Sequence, residues 1–142
     1  MARVRGTIAE NVSRIWPVLA DFGRPQRLAP SITACEATGA GVGALRVVRA
    51  RGMIIHERLE TFDPAAFRLS YRVLPSGDMP APGVRSYVAE VTLYPVSSRV
   101  TDVEWSSQGE IDGSHDVIRS HFQALYERAI ANLAVEAARS GG

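Results

Sequence analysis

The run Leu45-Arg46-Val47-Val48-Arg49-Ala50-Arg51-Gly52-Met53-Ile54-Ile55-His56-Glu57-Arg58-Leu59-Glu60-Thr61-Phe62 decides the fold. Two extended stretches, Leu45 to Ala50 and Met53 to Phe62, flank Arg51-Gly52, a two-residue hairpin turn in which glycine supplies positive φ. Positions in such a hairpin pair with a constant sum. Ala50 therefore faces Met53, Val48 faces Ile55 and Arg46 faces Glu57. Read with period two, one face of the second strand carries Ile55, Glu57, Leu59 and Thr61, and the other carries His56, Arg58, Glu60 and Phe62. The first is the better core face, so Glu57 is its anomaly. An unpaired buried charge costs several kcal/mol, and a pair is the form in which an interior tolerates charge. Arg46 beside Glu57 is then either a structural ion pair or the polar floor of a ligand cavity.

Working outward, Ala2 to Ile8 alternates as a first strand. Val12, Ile15, Trp16, Leu19 and Phe22 recur at helical spacing with Asn11 or a near neighbour as cap, and Pro17 should bend that helix or split it. Gly23 to Pro30 is turn-rich with room for one more helical turn. Ser31 to Thr38 reads as a strand, followed by a glycine-rich turn at 39–43. After the hairpin, Phe67, Leu69, Tyr71 and Val73 alternate with Arg68, Ser70 and Arg72. Pro75 to Gly83 is a long Pro/Gly-rich loop that cannot join a ladder. Two more strands carry Tyr87, Val91 and Leu93, then Val103, Trp105 and Ser107, on one face. From Ser114 the period turns helical, with Ile118, Phe122, Leu125, Ala129, Leu133 and Val135 or Glu136 on one line. Strands followed by a segregated long helix give an α+β domain over 1–139, with 140–142 as a frayed tail.

Composition excludes several function classes. The 142 residues suit one domain with a real core, and 46% hydrophobic against 22% charged content describes a soluble globule. A net charge of +1 without a basic stripe argues against nucleic acid. No apolar run spans a bilayer and no signal peptide is visible, so membrane insertion is not expected. One cysteine, Cys35, excludes an internal disulfide and suits a reducing cytoplasm; a buried inert thiol is its default. All 16 basic residues are arginine. Schiff-base chemistry, lysine-anchored pyridoxal phosphate and a P-loop are thereby removed, and a GC-rich bacterial genome is implied.

The remaining chemistry is sparse. His56, His115 and His121 lack metal-ligand spacing, and the glycines at 39–43 lie between strands, so neither a metal nor a phosphate cofactor is expected. His121 lies one turn before Leu125, near the apolar stripe, where it could reach a cavity as a base or sit satisfied at the core edge. Tyr71, Tyr87 and Trp105 fall on inward faces of three late strands. With Arg46 and Glu57 they describe an apolar chamber with a few convergent polar groups, rimmed by loop 75–83 and the turn at 51–52.

Three stretches carry a family resemblance: Trp16 through Asp21-Phe22 to Pro25-Gln26 and Cys35; Gly41-Val42-Gly43 with Arg46; and Glu57-Arg58-Leu59-Glu60 followed by Tyr71 and Tyr87. On these the chain resembles the helix-grip superfamily that includes START lipid-transfer domains, the major birch pollen allergen and bacterial polyketide cyclase/dehydratase-like proteins. Within it the chain is similar to bacterial proteins like the plant abscisic acid receptors. The resemblance implies seven antiparallel strands curled around the C-terminal helix, two short helices after the first strand, and a cavity lined at Arg46, Glu57, Tyr71, Tyr87 and Trp105. The receptors' pocket lysine falls on Ala29, their gate is reduced to the region around Arg51-Gly52-Met53, and their latch is missing from loop 75–83. Hormone sensing and phosphatase docking are therefore not implied.

The expected function is binding of a small hydrophobic, aromatic or polyketide-like molecule, oriented by Arg46 and Glu57 and contacted by Tyr71, Tyr87, Trp105, His121 and Leu125. The alternative is a cyclase or dehydratase without metal or Schiff base, in which Arg46 polarises a carbonyl and Glu57, Tyr87 or His121 moves the proton. An arginine paired with Glu57 occupies that carboxylate, which favours binding. No sequence feature marks an interface between copies.

Overall fold

A computed structural model describes residues 1–140. In chain order the elements are β1 (Ala2–Ile8), α1 (Val12–Leu19), a single 3-10 turn (Pro25–Arg27), β2 (Ile32–Thr38), β3 (Leu45–Ala50), β4 (Met53–Asp63), β5 (Arg68–Leu74), β6 (Tyr87–Ser97), β7 (Val100–Gln108) and α2 (His115–Ser140). The strands form one antiparallel sheet in the order β1-β7-β6-β5-β4-β3-β2. It curls around α2, so the α+β helix-grip architecture stands. The 140–142 tail lies outside the described residues except for Ser140, which ends α2.

Local chemistry sets the element boundaries. Asn11 caps α1 by accepting from the Ser13 backbone N–H at 2.9 Å, while its Nδ2 donates to the Ser98 carbonyl at 2.8 Å. Pro17 does not split the helix. The lost backbone bond falls where α1 is about to end, two residues later at Leu19. The β3–β4 turn has positive φ at both Arg51 (53°) and Gly52 (76°), the hairpin geometry whose twist matches the strands. Ala50 pairs with Met53, Val48 with Ile55 and Arg46 with Glu57, as the constant sum requires.

Two expectations are corrected. A bulge between Leu59 and Thr61 inserts Glu60 as an extra residue. Thr61 then shares the outer face with Ser70, bonding it at 2.7 Å, and Phe62 turns inward beside Leu69. Glu60 is left between Arg58 and Arg72, which lie directly opposite each other. Their hydrogen bonds to it at 2.9 and 3.0 Å, that of Arg58 above all, hold its carboxyl below the usual glutamate range. Loop 75–83 stays outside the ladders but is tied to β4: the Asp78 N–H donates to the Ile54 carbonyl at 2.7 Å and Oδ2 accepts from the Ile54 N–H at 2.8 Å. Secondly, the buried line of α2 is Ile118, Phe122, Tyr126, Ala129, Ile130, Leu133 and Ala137, with Val135 exposed. These positions span one broad face of α2 toward the sheet, and Leu125 lies half-buried at its edge.

The core divides around α2. Ile15, Val91, Leu93, Val103, Phe122 and Leu133 are sealed from solvent. Trp16 packs outside them on Phe62 and Phe67, with ring centroids at 5.6 and 6.0 Å. The segment between α1 and β2 is tied down by Asp21–Arg27 (3.5 Å), Arg27–Glu136 (3.2 Å) and Asn132 Nδ2 donating to the Leu28 carbonyl (2.8 Å). Between that segment, the sheet and the first half of α2, the interior is not filled.

A candidate ligand cavity

The unfilled space is a cavity of about 170 Å³. Arg46, Glu57, Tyr71, Tyr87, Trp105, His121 and Leu125, the seven residues singled out from the sequence, all line it. Strand alternation explains most of this convergence. Each of the five on β3 to β7 occupies an inward position of its strand, beside Val48, Ile55, Leu69, Val73 and Val91.

Arg46 is held from four sides. Its Nε donates to Glu57 Oε1 at 2.7 Å and its Nη1 to the Phe22 carbonyl at 2.9 Å. The guanidinium carbon stands 4.1 Å from the Phe22 ring centroid and 5.0 Å from that of Tyr71. Both charged side chains are nearly buried, at 10% and 12% exposure. Phe22, read in the sequence only as part of an apolar stripe, thus supplies both a carbonyl and a ring to the site. A lone aromatic after a short helix gives no sign of that.

Farther in, tyrosine hydroxyls gather. The Tyr87 and Tyr126 hydroxyls share a hydrogen bond, the Trp105 and Tyr126 rings stack at 5.7 Å, and Phe122 lies 5.0 Å from Tyr87. Burial pushes all three cavity phenols up: Tyr126 to about 12, and Tyr71 and Tyr87 well above their usual range. At neutral pH they are donors and not bases. The Trp105 indole N–H and the Ser107 hydroxyl, neighbours of the Tyr71 and Tyr126 hydroxyls, are buried without a well-aligned partner. Tyr126 escaped sequence reading because the helical line was counted through its neighbour Leu125; the Phe122-Tyr126-Ala129 spacing was the available signal.

The mouth is formed by residues 24–32, the β3–β4 turn, Pro80, His121 and Leu125. His121 makes no hydrogen bond among the described residues and is half-buried. Burial first, then the positive charges of Arg51 and Arg128, hold its imidazole below 6.5. Cys35 does not line the cavity. It is half-buried on the edge strand β2, and burial raises its thiol above the usual range despite the nearby Arg46. Among the described residues no group of His, Cys, Asp and Glu could hold a metal ion, and no helix is long and apolar enough to cross a membrane.

Chemically, the chamber can surround an apolar body, stack on its rings and meet its oxygens with a guanidinium, a carboxylate and phenol hydroxyls. Proteins of known structure share the whole arrangement of strands and helices. A protein from Nitrosospira multiformis superimposes with a TM-score of 0.76 at 25% identity, covering 94% of each chain. An uncharacterized protein of Bacillus thuringiensis gives 0.80 at 21%, covering 93% of this chain and 94% of that one. The protein XoxI of Bacillus cereus gives 0.78 at 22%, covering 94% of each. No curated protein matches the chain. A family model described as polyketide cyclase/dehydrase and lipid transport matches residues 1–138, a span that takes in every strand and all but the last turn of the helix closing the cavity. This chain belongs to that polyketide cyclase/dehydrase and lipid-transport family.

Proposed function

We propose that the protein binds a small hydrophobic molecule, aromatic or polyketide-like, inside the cavity, with Arg46 and Glu57 orienting its oxygen atoms directly or through water. The observation that carries this reading is the position of the pair. A buried guanidinium and carboxylate line an otherwise apolar chamber, flanked by aromatic rings, which is how small-molecule sites combine fit with orientation. Tyr71, Tyr87, Trp105 and Leu125 supply apolar and stacking contact, and His121 stands at the mouth. A cavity of about 170 Å³ suits one ring with a short substituent, since an engineered cavity of roughly 150 Å³ holds benzene. Native mass spectrometry of the purified protein, before and after denaturation and extraction, tests this. A small molecule that leaves on denaturation is the expected result. An empty protein whose melting temperature no aromatic or polyketide compound raises would sink the reading.

His121 favours a second reading, a cyclase or dehydratase in the same chamber. Its imidazole is held in the neutral form and unbonded, as a general base requires. Full turnover by a His121→Gln variant on any substrate found would remove it.

A further inference from the structure

The bonding around Arg46 narrows the ligand, given the cavity reading above. Nε and Nη1 are committed to Glu57 Oε1 and the Phe22 carbonyl. Arg46 Nη2 and Glu57 Oε2 have no hydrogen-bond partner among the described residues, yet neither is sealed from solvent. Both side chains are otherwise buried and line the cavity, so the open atoms face it. A strong donor and a strong acceptor therefore stand side by side on the cavity wall.

The guanidinium is not free to swing toward a different partner. The Phe22 and Tyr71 rings and the Phe22 carbonyl fix it against Glu57. Its charge is already matched by that carboxylate. An incoming carboxylate would meet Arg46 and Glu57 together, gaining attraction from one and repulsion from the other at low dielectric. It would also leave Glu57 Oε2 without a donor. A carbonyl next to an N–H serves both atoms and carries no charge. An amide keeps its donor at neutral pH, whereas a carboxylic acid loses its own.

We infer that the cavity selects an uncharged ligand with a carbonyl acceptor beside an N–H donor, a primary carboxamide or lactam on a single ring, and rejects the matching carboxylate. Calorimetric titration at pH 7 with benzamide, acetophenone, benzoate and toluene tests this. Benzamide is expected to bind at least tenfold more tightly than each of the other three. In Glu57→Gln, which removes the charge but keeps an acceptor oxygen, benzoate should gain at least tenfold relative to benzamide. The wild-type series decides alone if that variant does not fold. Toluene or acetophenone binding as tightly as benzamide overturns the inference and leaves the ligand cavity standing. So does benzoate binding that rivals benzamide and is lost in Arg51→Gln, because the acid would then sit at the exposed arginine of the mouth. Failure of all four compounds to bind overturns the inference together with the single-ring reading of the cavity.

Discussion

Removing Arg46 alone should be far more damaging than removing Arg46 and Glu57 together. Arg46→Ala strips Glu57 of its 2.7 Å partner and leaves the Phe22 carbonyl and two ring faces without the cation they surround. Breaking a buried pair by deleting one member costs about 3–5 kcal/mol. Water entering the cavity offsets part of that, so a loss of about 3 kcal/mol is expected. Glu57→Gln keeps an acceptor for Nε and leaves the bond to Phe22, and should cost about 1–2 kcal/mol. Arg46→Met with Glu57→Leu removes both charges and fills similar space, and should stay within about 1–2 kcal/mol of the wild type. The charge-free double should therefore be more stable than Arg46→Ala alone. Urea unfolding at pH 7, followed by tryptophan fluorescence from Trp16 and Trp105, measures each variant. Arg46→Ala within about 0.5 kcal/mol of the wild type, or a double variant as unstable as Arg46→Ala, would refute the reasoning.

Two further outcomes follow from the geometry. His121 has a folded-state value below its ordinary 6.5, so its contribution to stability is complete above 6.5 and is lost as pH falls from there through the lower folded-state value. Calorimetric melting temperatures from pH 7 to 5 should therefore decline less steeply in His121→Gln; superimposable profiles would show that His121 does not titrate differently on folding. A Cβ at Gly109 would stand 1.9 Å from the Ser86 carbonyl oxygen, a backbone atom that cannot swing away, whereas one at Gly52 meets nothing within 4 Å. Gly109→Ala should cost about 2–3 kcal/mol in chemical denaturation, against about 1 kcal/mol at Gly52, where only positive φ opposes the methyl; equal losses would contradict the difference.

The hairpin at 45–62 was legible because a two-residue turn fixes the whole register, and with it the meeting of Arg46 and Glu57. Tyr71, Tyr87 and Trp105 followed from alternation alone. What stayed hidden depends on contacts that no period encodes. Nothing in the letters marks Glu60 as an inserted residue; its bulge shows only once Thr61 is seen opposite Ser70. Asp78 looks like any turn aspartate, and its bonds to Ile54 span a gap that local propensity cannot bridge. Phe22 and Tyr126 join the cavity wall through the way α1 and α2 lie on the sheet, a tertiary choice made by the sum of many weak contacts.

Strand order also governs how this chain is made. Of these seven strands β1 is translated first, and among the described residues its sheet neighbour is β7, with Ala2 opposite Ser107. It must wait until six other strands have been translated. α2 emerges later still, so the inner faces of Val48, Ile55, Leu69 and Val91 stay bare for nearly the whole of synthesis. A nascent sheet with an open apolar concavity is exposed to aggregation, and that exposure ends when α2 closes over the chamber.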